Sequence, residues 1–207
     1  TNVVIGAIHF PPLLGYPEFP GIEIALENAL TDLCALEQGG VDGIIIENNY
    51  DIPHHAEVGT EVVACLTLLA QKIKEKTKLP IGISVLWNDY KTALSISKVV
   101  GLEFVRIPVF VDTVKTSYGT MEAKAKEIAL FQTHIGAENV ALFTDIHVKH
   151  SEIISKHTIL ESAQLAIEQG SDALIVTGKW TGDAPDITEL QSVFDSVKDF
   201  PILCGSG

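Results

Sequence analysis

Basic residues are scarce in this chain. Its 207 residues carry 14 Lys and Arg against 27 Asp and Glu, a formal charge of −13, and no two basic residues are adjacent. Nucleic acid and anionic membrane surfaces are polyanions that repel such a chain, so neither is an expected partner. Cysteine is scarcer still. Cys34, Cys65 and Cys204 are odd in number and far apart, which argues against a disulfide framework or a zinc motif and fits a reducing, cytoplasmic compartment. Long apolar runs are also missing, although 46% of the residues are apolar. Residues 1–17 are free of charge, yet Asn2, His9, Pro11-Pro12 and Gly15 interrupt them. A spanning helix needs ~20 mostly apolar residues, so no integral membrane segment is expected. No basic start ahead of an apolar core marks a signal peptide.

What the chain has instead is alternation. Short Val- and Ile-rich runs at 3–8, 43–46, 81–86, 104–107, 140–144, 173–176 and 202–204 alternate with amphipathic segments at 22–38, 57–76, 90–100, 123–135, 159–169 and 187–197. Nearly continuous hydrophobicity in such short runs predicts parallel strands buried on both faces. Within 57–76, Val62, Val63, Leu66, Leu69, Ala70 and Ile73 recur at three- and four-residue steps, the signature of one helical face. Gly39-Gly40, Gly101, Gly136 and Gly170 follow helical segments, where a left-handed residue closes the last turn. Pro80 and Pro201 stand just before strands.

The strand-helix unit recurs about every 33 residues, close to the ~31 of an eight-unit barrel. The predicted fold is therefore an α/β (β/α)8 TIM barrel, in a single domain over 1–207. An open dinucleotide-binding sheet is disfavoured, because the first strand runs into His9-Phe10-Pro11-Pro12 rather than a glycine-rich turn. Seven strands are read where eight are needed, so the eighth βα unit is expected to be missing after Gly205-Ser206-Gly207.

In such barrels the chemistry sits at the C-terminal ends of the strands and in the loops that follow. Those positions hold His9, Glu47-Asn48, Asn88-Asp89, Arg106, Asp145-Ile146-His147-Val148-Lys149-His150, Thr177-Gly178 and Gly205-Ser206-Gly207. In an extended chain Asp145, His147 and Lys149 share one face. An acid, an imidazole and an amine together offer a general base, a proton shuttle and an anion partner. The expected catalytic set is thus Asp145, His147 and Lys149, with Glu47. Glu47, Asp145 and His147 are also candidate ligands for a divalent metal, although no HExxH-like motif is present.

Glu47 closes the run Ile44-Ile45-Ile46, where desolvation penalises its charge unless a cation is near. Arg106, between Val105 and Ile107, is the obvious cation; it either bridges Glu47 or Asp145 or binds a substrate phosphate or carboxylate. Asn88 and Asp89 either position substrate or cap the helix that starts near Tyr90. Thr177, Gly178, Gly205, Ser206 and Gly207 are small residues that let backbone N–H groups approach a phosphate. His9 and Asn48 complete the expected binding set.

Several of these strings are long. The stretches Ile5-Gly6-Ala7-Ile8-His9-Phe10-Pro11-Pro12-Leu13, Gly39-Gly40-Val41-Asp42-Gly43-Ile44-Ile45-Ile46-Glu47-Asn48, Val85-Leu86-Trp87-Asn88-Asp89, Asp145-Ile146-His147-Val148-Lys149-His150 and Ala173-Leu174-Ile175-Val176-Thr177-Gly178 resemble the BtpA/SgcQ family, in order along the whole chain. The resemblance implies a TIM barrel usually longer than this sequence. It also implies a link to photosystem I biogenesis as a peripheral thylakoid factor, while SgcQ-like relatives stand beside genes for sugar metabolism. The expected function is an enzyme, whether lyase, isomerase or hydrolase, acting on a small anionic metabolite such as a phosphorylated or carboxylated sugar or nucleoside derivative. The alternatives are a non-catalytic assembly factor for a membrane complex and a homo-oligomer joined through its outer helices.

Overall fold

A computed structural model describes residues 2–205. They form two compact units, residues 2–105 with 135–140 and residues 106–134 with 141–205.

The first unit contains β1 (Ile5–His9), α1 (Ile22–Gly39), β2 (Gly43–Glu47), α2 (Thr60–Lys74), β3 (Ile81–Ser84), α3 (Tyr90–Val100) and the start of β4 (Phe104–Ile107). Its strands are parallel and pair in chain order, with His9 opposite Glu47, Glu47 opposite Ser84, and Gly82 opposite Phe104. Ile8, Ile44, Ile46, Ile81 and Ile83 are fully buried, each such side chain contributing about 1.5–3 kcal/mol. Gly82 is required by packing. A Cβ there would lie 2.1 Å from the Phe104 ring, so only glycine lets that ring cover β3. Helix α1 buries Ala25, Ala29 and Leu33 at four-residue spacing and ends on Gly40 with φ of 77°.

The second unit contains the rest of β4, β5 (Val114–Thr116), β6 (Gly119–Met121), α4 (Ala125–His134), β7 (Ala141–Ile146), β8 (Glu152–Ile153), α5 (Ile159–Glu168), β9 (Ala173–Thr177), α6 (Ile187–Val197) and β10 (Ile202–Gly205). Strands β7, β9 and β10 are parallel, with Asp145 opposite Ile175 and Thr177 opposite Gly205. Strands β6, β5 and β8 form a small antiparallel sheet. Helix α5 starts with a capping box, in which Thr158 and Glu161 bond each other's backbone N–H groups.

All seven expected strands and six expected helices form, and their ends differ for identifiable reasons. Strand β3 stops at Ser84 rather than Leu86, because the Leu86 N–H donates to the Asn48 side chain at 2.7 Å instead of to a neighbouring strand. Helix α2 begins at Thr60 rather than residue 57, with the Val58 N–H donating to Asp89. The antiparallel sheet was not expected; its strands are two or three residues long, too short for a periodic signal. No helix among the described residues is long and apolar enough to cross a membrane.

Candidate functional site

In the first unit, parallel register brings polar side chains to the C-terminal ends of β1, β2 and β3. His9 Nε2 lies 3.5 Å from Glu47 Oε2, with Glu47 buried and His9 half-exposed. The Tyr50 ring meets His9 edge-on at 6.3 Å. Ser84, in register with Glu47, is fully buried, and its Oγ has no hydrogen-bond partner among the described residues.

The neighbouring polar groups are engaged in holding loops. Asn48 is fully buried; its Oδ1 accepts from Leu86 N–H, and its Nδ2 donates to Asp51 Oδ2 at 3.2 Å and to the Leu86 carbonyl at 3.4 Å. Asp51 in turn accepts from Leu13 N–H at 2.8 Å. Burial pushes the Asp51 carboxyl up, while its bonds from Leu13 and Asn48 pull the other way. Asp89 caps α3, accepting from Thr92 N–H and Oγ1 and from Val58 N–H. Capping is thus the observed role of Asp89. Asn88 accepts from Tyr90 N–H through its carbonyl. Burial, then the adjacent His55, pushes His54 below the usual imidazole range, and Glu47 opposes this.

In the second unit, Arg106 on β4 and Asp145 on β7 form a bidentate pair. Arg106 Nε donates to Asp145 Oδ1 and Nη2 to Oδ2, both at 2.9 Å, and the Asp145 side chain is completely buried. Of the partners expected for Arg106, the structure shows Asp145.

Strand β7 ends at Ile146, and His147 has φ of 50°, in the left-handed region. The extended alternation expected through Lys149 therefore does not hold; the chain turns at His147, and His150 is left-handed as well, with φ of 59°. A non-glycine residue here is strained, and such strain clusters at functional sites. The His147 Nε2 atom is buried with no hydrogen-bond partner among the described residues. Such an atom is costly and uncommon.

The loop after β7 is tied to the loop after β9. Lys149 N–H donates to Thr177 Oγ1 at 3.2 Å, and His150 N–H donates to the Lys179 carbonyl at 3.1 Å. His150 Nε2 and Thr181 Oγ1 are 2.8 Å apart. Gly178 sits so close to Asp183 that a Cβ would lie 2.3 Å from the Asp183 carbonyl oxygen. Gly205 ends β10 and is half-buried; Ser206 and Gly207 lie outside the described residues.

The candidate metal ligands are divided, Glu47 in the first unit and Asp145 and His147 in the second. Among the described residues no three His, Cys, Asp or Glu side chains are grouped to hold a metal ion. One couple escaped the sequence reading. Buried Asp112, after β4, holds His157 Nδ1 at 3.1 Å, and Asp112 Oδ2 is buried with no hydrogen-bond partner among the described residues. The signal was present, since Asp112 closes the apolar run Val109-Phe110-Val111 just as Glu47 closes its own run of isoleucines.

Repeated βα units of parallel strands with polar C-terminal ends define an α/β fold of the TIM-barrel class. Solved structures agree. The 7,8-dihydropteroate synthase of Vibrio fischeri is 15% identical with a TM-score of 0.61, the match covering 98% of this chain and 72% of that one. The 2-keto 3-deoxygluconate aldolase of Picrophilus torridus is 13% identical with a TM-score of 0.58, over 99% and 66%. The chain belongs to the BtpA family, whose profile matches residues 1–207. An uncharacterised protein of Pyrococcus horikoshii is 36% identical over 99% of this chain and 78% of its own length. The photosystem I biogenesis protein BtpA of Synechocystis is 33% identical over 100% of this chain and 72% of its own.

Proposed function

We propose that this BtpA-family chain is an enzyme that acts on a small phosphorylated or carboxylated metabolite, a sugar or nucleoside derivative, by acid–base chemistry at the strand C-terminal ends of its second unit. The observation that carries this reading is His147, an imidazole on a left-handed backbone whose Nε2 has no hydrogen-bond partner among the described residues. Most buried polar atoms find a partner, so an unmet one calls for an explanation. An imidazole with an unmet nitrogen is suited to take a proton from a hydroxyl or an activated C–H group and return it. Asp145, fixed by the bidentate Arg106 pair, supplies a positioned carboxylate two residues away. Lys149 and the backbone of the Thr177-Gly178 loop supply the anion partners. His9 and Glu47 form a second imidazole–carboxylate couple in the first unit. The synthase and aldolase named above support enzyme function by analogy of fold alone, and the scarcity of cysteine favours a reducing, cytoplasmic setting.

Turnover of a panel of sugar phosphates, nucleoside monophosphates and keto acids tests the reading. His147→Gln and Asp145→Asn should each cost about 10²-fold or more, the range for loss of a positioned proton-transfer group. Full activity in both variants would overturn it. A second reading, a photosystem I assembly factor, rests on the likeness to the Synechocystis protein. It requires that a double variant at Asp145 and His147 still support assembly as the unaltered chain does.

A further inference from the structure

Asp112 and His157 form a couple that the chemistry proposed above leaves unused. They lie in the segments that follow β4 and β7, the two strands joined by the Arg106–Asp145 pair. Both segments are fastened on either side of the couple. Asp112 follows the buried run Val109-Phe110-Val111. Beside it, Thr113 N–H donates to Ser155 Oγ at 2.8 Å, and Ile154 N–H donates to the Thr113 carbonyl at 2.9 Å. Val114 pairs with Ile153 where β5 meets β8. His157 is followed at once by Thr158, the capping-box residue of α5. These bonds close the two segments without help from the Asp112 side chain.

A buried carboxylate is unfavourable without good partners. Only Oδ1 of Asp112 has one, His157 Nδ1 at 3.1 Å; Oδ2 is buried with no hydrogen-bond partner among the described residues. A carboxylate at Nδ1 orients an imidazole and keeps the proton there, leaving the Nε2 lone pair free to act. His157 is half-exposed, and its Nε2 bonds no described residue. The residue also lines a groove along α5 with Leu160, Gln164 and Ser196, where the charged residues, Glu161 and Glu168, are both acidic. Such a groove repels phosphate or carboxylate and admits an uncharged hydroxyl.

We propose that His157 is a second proton-transfer residue, whose Nε2 takes the proton of a substrate hydroxyl and returns it to product or water. Asp112 is its positioning residue, holding Nδ1–H and facing the imidazolium formed in between. This rests on the enzyme reading above and deepens it, placing an uncharged, hydroxyl-bearing part of the substrate beside α5.

Two experiments on the intact chain test it. Nitrogen NMR of the histidine rings should show neutral His157 protonated on Nδ1, and Asp112→Ala should return it to the Nε2–H form favoured in water. Nε2–H in the unaltered chain overturns the proposal whatever the turnover. On the panel of sugar phosphates, nucleoside monophosphates and keto acids, His157→Ala should lose about 10²-fold in kcat with KM little changed. Free imidazole should restore part of the loss, since the half-exposed position is open to solvent. Full turnover in His157→Ala, or a loss that imidazole does not repair, overturns the role of His157 and spares the enzyme reading. Failure of the unaltered chain to turn over any panel compound overturns both.

Discussion

The two units place similar polar residues at similar positions and use them differently. In the first, Asn48, Asp51 and Asp89 hold the backbone at Leu86, Leu13, Thr92 and Val58. Their polar capacity goes into positioning loops. In the second, Asp145 is held by the Arg106 side chain, while His147 keeps a strained backbone and a nitrogen without a hydrogen-bond partner among the described residues. A polar residue at a strand end is therefore not evidence of chemistry. What its hydrogen bonds are doing decides the matter.

Four measurements break or sharpen that contrast, in descending order of effect. Arg106→Leu strands the buried Asp145 carboxylate, so urea denaturation should show a loss of about 3–5 kcal/mol. A loss below 1 kcal/mol would mean that the pair does not hold the second unit together. Asn48→Ala leaves Leu86 N–H without its acceptor, and the expected loss is about 1–3 kcal/mol. Asp89→Ala removes the α3 cap and should cost about 1 kcal/mol; Asp89→Asn should recover much of it if capping is the role, as the retained carbonyl oxygen still accepts.

The smallest effect is a dependence on pH. Burial lowers His54 in one unit and His150 in the other, with His55 and Lys149 respectively as the second cause. A lowered folded value means that the unfolded chain binds the proton more readily. The neutral form's contribution is therefore fully present above the ordinary value near 6.5 and is lost as pH falls through the folded value. Urea midpoints between about pH 7.5 and 5 should decline, and His54→Gln and His150→Gln should each flatten the decline. An unchanged slope in both would contradict the assignment.

Much of the fold was legible because its signals are local. The isoleucine run before Glu47 and the glycine closing α3 are readable within a few residues, and β2 and α3 lie where those signals put them. The antiparallel sheet was not legible, since strands as short as β8 carry no period. At the candidate site, residue types were readable and their tasks were not. Asn48 is readable as a polar residue at a strand end, whereas the bond it accepts from Leu86, 38 positions away, is not. The turn at His147 was hidden for a different reason. Left-handed positions are anticipated first at glycine, and histidine, although enriched there over most side chains, is a much weaker warning.

The substitution His147→Gly tests the central claim most directly, with turnover and urea denaturation measured on the same preparation. Glycine accepts the left-handed backbone without strain, so the account predicts stability unchanged or raised by up to about 1 kcal/mol, together with a fall in turnover of about 10²-fold or more. A variant that turns over substrate at the original rate, or one that loses stability and activity together, would contradict it, because His147 would then belong to the scaffold rather than to the chemistry.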